Sequence, residues 1–200
     1  VIRRALRAAA LGAAAFVLAA CATVPPAAVA PPEPAAATAV AAMPAWRATG
    51  RVAIRTPQDG WSASFDWTER DGRGEANVRG PFGAGAAQIT RTDDSIRIVT
   101  GRGEPIDVPA PFDALEPALV ERLGFPLPLD QLRYWLLGVP APGRESAGTP
   151  GEFQQAGWAV RAADYAPADG APAPLPRRLV LTREGTRIRV VVDRWDVPPP

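Results

Sequence analysis

The chain has no histidine, no lysine and a single cysteine, Cys21. Zinc and most transition-metal sites draw on several His or Cys ligands, so no metal site is expected. Neither a Ser-His-Asp nor a Cys-His group can be assembled, and a lysine Schiff base or a P-loop is equally out of reach. One cysteine cannot close a disulfide within the chain. Only carboxylate or tyrosine acid–base chemistry remains among the common enzyme strategies. The composition therefore reads as a protein that binds rather than catalyses, with no cofactor. An excess of one charge is missing too. Over 200 residues, 22 arginines nearly balance 21 acids, for a net charge of +1, which leaves no electrostatic footprint for nucleic acid. Hydrophobic residues make up 47% and charged residues 22%, enough to bury a core in one domain.

The N-terminus begins with Arg3, Arg4 and Arg7, followed by an apolar run from Ala8 to Ala20. Crossing a bilayer takes about 20 apolar residues, so this shorter run reads as a signal peptide over residues 1–20. It ends in Leu18-Ala19-Ala20-Cys21, which resembles the lipobox of bacterial lipoproteins. In that class the signal is cut before the cysteine, which then carries three acyl chains, so Cys21 is the expected site of lipid attachment. The alternative is an ordinary secretory signal with an incidental cysteine. Ala22 and Thr23 follow; the resemblance implies sorting to the outer membrane, since aspartate directly after the cysteine is the usual inner-membrane retention signal. Residues 21–44 are almost entirely Ala, Pro, Val and Thr. Their prolines and lack of bulky apolar side chains predict an extended tether able to reach roughly 70 Å at ~3.1 Å per residue.

From residue 45 to 200 the pattern is that of a folded domain. Trp61, Ala63, Phe65 and Trp67 alternate with Ser62, Ser64 and Asp66, the signature of a half-buried strand with three aromatics on one face. The same period recurs around Val52, Ala76, Ala87, Ile96 and Ile188. Asp71-Gly72, Asp93-Asp94, Gly101-Arg102-Gly103 and Glu184-Gly185 punctuate these runs, and short turns between short strands mean an antiparallel sheet. Helix is predicted only in the middle. One spans Asp113 to Leu123, with Leu115, Leu119 and Leu123 on one face and Pro117 in its first turn. The other runs from about Leu129 to Leu137, with Leu132, Trp135 and Leu136 inward. Gly124 and Gly138 stop them. The fold class is α+β, a curved antiparallel sheet wrapped over a few helices.

Few residues offer chemistry. Asp93-Asp94 reads as a solvated turn. Asp66 and Glu69 resemble a carboxylate pair of the glycosidase kind, but the strand period sends Asp66 to the polar face and ordinary surface charge is the expectation. Gly80-Pro81-Phe82-Gly83-Ala84-Gly85 is glycine-rich without a following helix or lysine, so it is no phosphate cradle. Phe82 at its tip is either folded back into the core or exposed to something apolar. The aromatics likewise either fill a core or line a cavity for an apolar ligand.

The segment Pro126-Leu127-Pro128-Leu129-Asp130-Gln131-Leu132-Arg133-Tyr134-Trp135-Leu136-Leu137-Gly138-Val139-Pro140 resembles a signature of the LolB family of outer-membrane lipoprotein receptors. Further matches follow in order: Trp46 with Gly50-Arg51-Val52, Ser64-Phe65-Asp66-Trp67, Gly80-Pro81-Phe82-Gly83, Gln155-Ala156-Gly157-Trp158 and Val192-Asp193-Arg194-Trp195. The resemblance implies a half-open, incomplete antiparallel β-barrel whose helices partly plug an apolar cavity. It implies no enzyme activity. The implied role is a monomeric receptor in the outer membrane, facing the periplasm, that accepts triacylated lipoproteins from the carrier LolA and inserts them among outer-membrane lipids. Pro81, Phe82 and Gly83 match the family's membrane-inserting loop, whose apolar tip is usually leucine. Cavity candidates are Trp61, Phe65, Trp67, Trp135 and Trp158. The alternative is a lipid-carrying or scaffold lipoprotein of the envelope without carrier-dependent transfer.

Overall fold

The computed structural model describes residues 29–81, 85–101, 104–112 and 114–199. Its framework is one antiparallel sheet of 11 strands. The first six are β1 (Ala45–Arg55), β2 (Gly60–Arg70), β3 (Arg73–Arg79), β4 (Ala86–Arg91), β5 (Ser95–Thr100) and β6 (Ile106–Pro109). After two helices come β7 (Ser146–Thr149), β8 (Glu152–Gln155), β9 (Trp158–Ala166), β10 (Leu175–Arg183) and β11 (Thr186–Asp196). Each half is a meander of neighbours, and the halves join where β1 pairs with β11. β6 and β7 are the two edges, so the sheet curls without closing. The chain between those edges carries α2 (Leu115–Leu123) and α3 (Leu129–Trp135).

Turn chemistry sets the register. Asp71-Gly72, Ala156-Gly157 and Glu184-Gly185 hold both central residues at positive φ, the primed turns whose twist matches that of paired strands. The join between the halves depends on Gly50, beside a register shift in the β1–β11 ladder. A Cβ there would lie 2.1 Å from the Val191 carbonyl oxygen and 3.0 Å from Phe65 Cε1. Only glycine lets the strands come so close.

The inward face of the sheet is the core. Trp46 lies against Trp67 and Trp195, with ring centroids 5.8 and 5.5 Å apart. On the other side Trp135 of α3 meets Phe153 edge-on at 6.4 Å. The indole N–H of Trp135 donates to Gln155 Oε1 at 2.8 Å, and Gln155 Nε2 donates to the Ala141 carbonyl at 2.9 Å. That buried amide ties the loop after α3 to β8.

Two expectations need correction. The Ala/Pro segment is not extended where it is described: Pro34–Ala41 forms a helix, α1, and Ala37, Val40 and Met43 are buried with Trp46 in the main core. Proline in the first turn preorganises φ, alanine has the highest helix propensity, and small side chains let the helix lie close to its support. Upstream, Val29 bridges to Tyr165 on β9. Leu123, expected on the buried face of α2, is exposed together with Val120. Only Leu115 and Leu119 of α2 are buried, because the helix runs past the cluster it covers and ends at Gly124 (φ 82°).

Candidate functional site

Five aromatics were candidates to line an apolar cavity or fill the core, and the structure separates them. Phe65 and Trp67 face inward from β2, and both are buried. Trp135 on α3 and Trp158 at the start of β9 are fully enclosed in the packed core. Trp61 shares their parity but is 40% exposed. It sits opposite Ile54 at the end of β2, beyond the side chains that cover the rest of the strand. It is therefore a rim residue, not part of the lining.

The inward face is mostly apolar and closely packed among the described residues. The small pocket between sheet and helices has a volume of about 10 Å³ and is lined by Trp67, Gly74, Ala76, Ile89, Arg91, Ile96 and Leu129. That is room for about one water molecule. It lies between two clusters. The larger combines the central strands with α1 and α3, while the smaller holds Ile96, Ile98, Val108, Leu115, Leu119 and Leu129 between β5, β6 and the helices. Besides the two buried leucines, α2 is held by Glu116, both of whose carboxylate oxygens accept from Arg183 Nη1 at 2.9 Å, and by Arg122, which donates to the Glu104 carbonyl at 3.3 Å. This helix is the lightly fastened part of the cover.

Sequence reasoning missed a charged pair inside, Glu69 with Arg91. Glu69 was expected at the surface, yet it is 1% exposed. Its Oε2 accepts from Arg91 Nη2 at 2.7 Å and lies 3.8 Å from Arg133 Nε of α3. Its Oε1 accepts from Trp67 Nε1 at 2.9 Å. Gly74 makes the room, since a Cβ there would lie 2.4 Å from Glu69 Oε1. The signal was present: 61, 63, 65, 67 and 69 share one parity, so the period that found Trp67 also points Glu69 inward. Asp66, on the opposite face, is bound by Arg47 Nε at 2.8 Å, a hydrogen bond that holds its carboxyl below the usual range. Asp66 and Glu69 therefore do not converge on a cleft. Asp93 and Asp94 sit in the exposed β4–β5 turn, as expected.

Pro81 is exposed at the point where the chain leaves β3. Phe82, Gly83 and Cys21 lie outside the described residues. Among the described residues no group of three or more His, Cys, Asp or Glu is placed to hold a metal ion, and no helix is long and apolar enough to cross a membrane.

Tyr165, beside the stop of α3, supplies a titration test of this packing. Its hydroxyl is buried without a hydrogen-bond partner among the described residues, and a Cβ on Gly138 would lie 2.4 Å from it. Burial pushes the phenol up to about 12, against ~10 for free tyrosine. The folded state thus holds the proton more tightly than the unfolded state. This contribution to stability is complete below about pH 10 and is lost as pH rises from about 10 to about 12. Phenolate absorbance should show one of the chain's tyrosines titrating late, and Tyr165→Phe should remove that late step.

A curled antiparallel sheet with a mostly apolar concave face, covered by short helices, defines a half-open barrel. The family described as Outer membrane lipoprotein LolB matches residues 44–195, beginning where the strand pattern begins. The outer-membrane lipoprotein LolB of Alkalilimnicola ehrlichii is 35% identical over 197 residues, covering 94% of this chain and 96% of its own. That of Thiobacillus denitrificans is 33% identical over 199 residues, covering 96% and 99%. The crystal structure of LprF from Mycobacterium bovis aligns with 86% of this chain and 99% of its own at 15% identity, with a TM-score of 0.33, too loose to bear on the fold. The chain belongs to the LolB family of outer-membrane lipoproteins. Its place is the outer membrane, held by lipid and facing the periplasm, and its family is one of lipoprotein-localisation receptors rather than enzymes.

Proposed function

We propose that this protein takes triacylated lipoproteins from a LolA-type periplasmic carrier and inserts them into the outer membrane, acting as a monomer anchored through Cys21. The observation that carries the reading is the apolar interior under a lightly held helix, in a chain of this family. Each methylene kept from water is worth about 0.8 kcal/mol, so acyl chains do not cross the periplasm unescorted. The interior meets that need only by opening, because a pocket of about 10 Å³ holds no acyl chain. The α2 segment is the part to move: it buries two leucines, leaves Val120 and Leu123 in water, and is held by the Glu116–Arg183 pair. Displacing it uncovers Ile96, Ile98 and Val108, and the cargo's acyl chains replace its contacts with theirs. Handover then follows differential affinity for carrier, receptor and bilayer. Pro81, Phe82 and Gly83 are the proposed contact with outer-membrane lipid.

The test mixes this protein with a carrier loaded with labelled lipoprotein, then adds liposomes. Cargo should appear on the protein in solution and afterwards in the liposomes. Failure to take cargo, under conditions where a working receptor does, would leave the second reading, a lipid-carrying or scaffold lipoprotein without carrier-dependent transfer.

A further inference from the structure

The outer face of the sheet carries a charge arrangement that the interior does not explain. On β9, β10, β11 and β1 the carboxylates are taken by neighbouring arginines. Arg51 pairs with Asp193 at 2.8 Å, Arg178 with Asp164 at 2.9 Å, and Arg161 with Glu152 across the β8–β9 ladder. Arg55, Arg187 and Arg189 are left exposed with no carboxylate partner among the described residues. The register makes this costly. Arg55 stands directly opposite Arg187, and Arg189 is the next residue on the same face of β11, opposite Ala53. Like charges directly opposite each other destabilise a sheet. Of the acids in the adjoining turns, Asp59 accepts from the Gly60 N–H at 2.7 Å and Glu184 lies 4.0 Å from Arg183, and among the described residues neither forms an ion pair with these arginines.

These arginines stand at one end of the central strands. The β1–β2 and β10–β11 turns meet there, as a Cβ on Gly185 would lie 3.0 Å from Pro57. The rim-exposed Trp61 is at the same end, paired with Ile54 one residue before Arg55. Gly80 and Pro81 leave β3 there too, just past Arg79 opposite Ser64. Cations on one side of a rim and an indole on the other match a bilayer surface, where arginine meets phosphate and tryptophan settles at headgroup depth.

We infer that this rim docks on anionic phospholipid headgroups, with Arg55, Arg187 and Arg189 as the phosphate contacts and Trp61 as the interfacial anchor. The chain's own length permits it. Val29 bridges to Tyr165, and the arginine end of the sheet lies level with Ala159 and Thr182, roughly 20 Å away along β9 at ~3.3 Å per residue. The eight or so residues from Cys21 to Val29 span at most ~29 Å. An anchor at Cys21 therefore lies within reach of the rim. That length argument rests on the proposed lipidation; the charge argument does not.

The experiment uses the chain from Cys21 onward, which contains every described residue, with Cys21→Ser so that no acyl group holds it. Sedimentation with phosphatidylcholine vesicles is compared with and without phosphatidylglycerol. Binding should require phosphatidylglycerol and weaken with salt. Replacing the three arginines with glutamine should lower partitioning about fivefold for each, roughly a hundredfold together. The melting temperature of that triple variant should hold or rise, because a repulsion has been removed. Trp61→Ala should weaken binding further. Arg97→Gln, on the outer face of β5 and paired with Asp107 at 3.4 Å, should leave it unchanged. Equal binding by the parent and triple variant, or equal binding to both vesicles, overturns the inference. So does a triple variant that still binds vesicles but no longer takes cargo from the carrier, since the surface would then belong to an acidic protein. A chain that binds anionic vesicles through these arginines yet accepts no cargo contradicts the receptor reading and leaves this one standing.

Discussion

Phe82→Glu should leave acceptance of cargo in solution intact and reduce its delivery to liposomes by about a hundredfold. The reasoning starts from the two places where apolar surface matters. On the proposed reading, cargo is held by the concave face and its helical cover, whose buried residues come from the strands, α2 and α3. Pro81 is exposed where the chain leaves β3, toward the end of the sheet that carries Trp61, and Phe82 follows it in the proposed lipid contact. A carboxylate at membrane depth costs about 2.5–3.5 kcal/mol, which is about two decades in a rate limited by membrane engagement. Phe82→Leu restores an apolar tip of similar burial value and should deliver nearly as well as the parent. Loss of acceptance and delivery together in Phe82→Glu would mean that the residue belongs to the interior instead.

Glu69→Gln should lower the unfolding free energy by about 3–5 kcal/mol. The substitution preserves shape and leaves an oxygen for the Trp67 indole N–H, which Glu69 Oε1 now accepts at 2.9 Å. It removes only the charge. Arg91 and Arg133 would then face each other across a neutral amide, with side-chain exposures of only 9% and 14% and with Nε atoms that already have no hydrogen-bond partner among the described residues. Removing one member of a buried pair leaves the other charge uncompensated, the costly case. For a domain of this size the loss corresponds to a fall in melting temperature on the order of 10 °C. Because Arg133 is on α3 while Glu69 and Arg91 are on β2 and β4, hydrogen exchange should also quicken in α3. A loss under about 1 kcal/mol in denaturant titration would show that the cluster does not hold helix to sheet.

How far the fold was legible depends on whether the controlling interaction was local. Alternation in Trp61–Trp67 fixes a strand and its inner face, and leucines spaced by four with glycine stops fix α2 and α3. The Asp71-Gly72 and Glu184-Gly185 turns are written in two residues each. Parity alone cannot say where the cover over a face ends. Trp61 outruns it at the rim and Leu123 outruns it on α2, and both are exposed for that reason. Glu69 obeyed the inward parity, but its charge argued for the surface; its partner Arg91 lies 22 residues on, so nothing local announced the pair. The α1 segment was misread because low apolar bulk was taken to mean no burial, whereas alanine packs closely once a sheet is there to receive it. The opposed arginines at 55 and 187 emerge only from the β1–β11 register. Of the candidate site, therefore, the aromatics of β2 were readable, and the separation into a filled core, a small pocket and an exposed rim was not.

The claim on which the account rests is that the filled interior opens beneath α2 and takes in acyl chains. The most direct measurement places a photoreactive group near the end of a cargo acyl chain, transfers that lipoprotein from the carrier to this protein, irradiates, and maps the adducts. The account requires them on Ile96, Ile98, Leu119 or Leu129 of the smaller cluster. Adducts confined to outward-facing residues such as Val99 and Val191, while cargo stays bound, would contradict it.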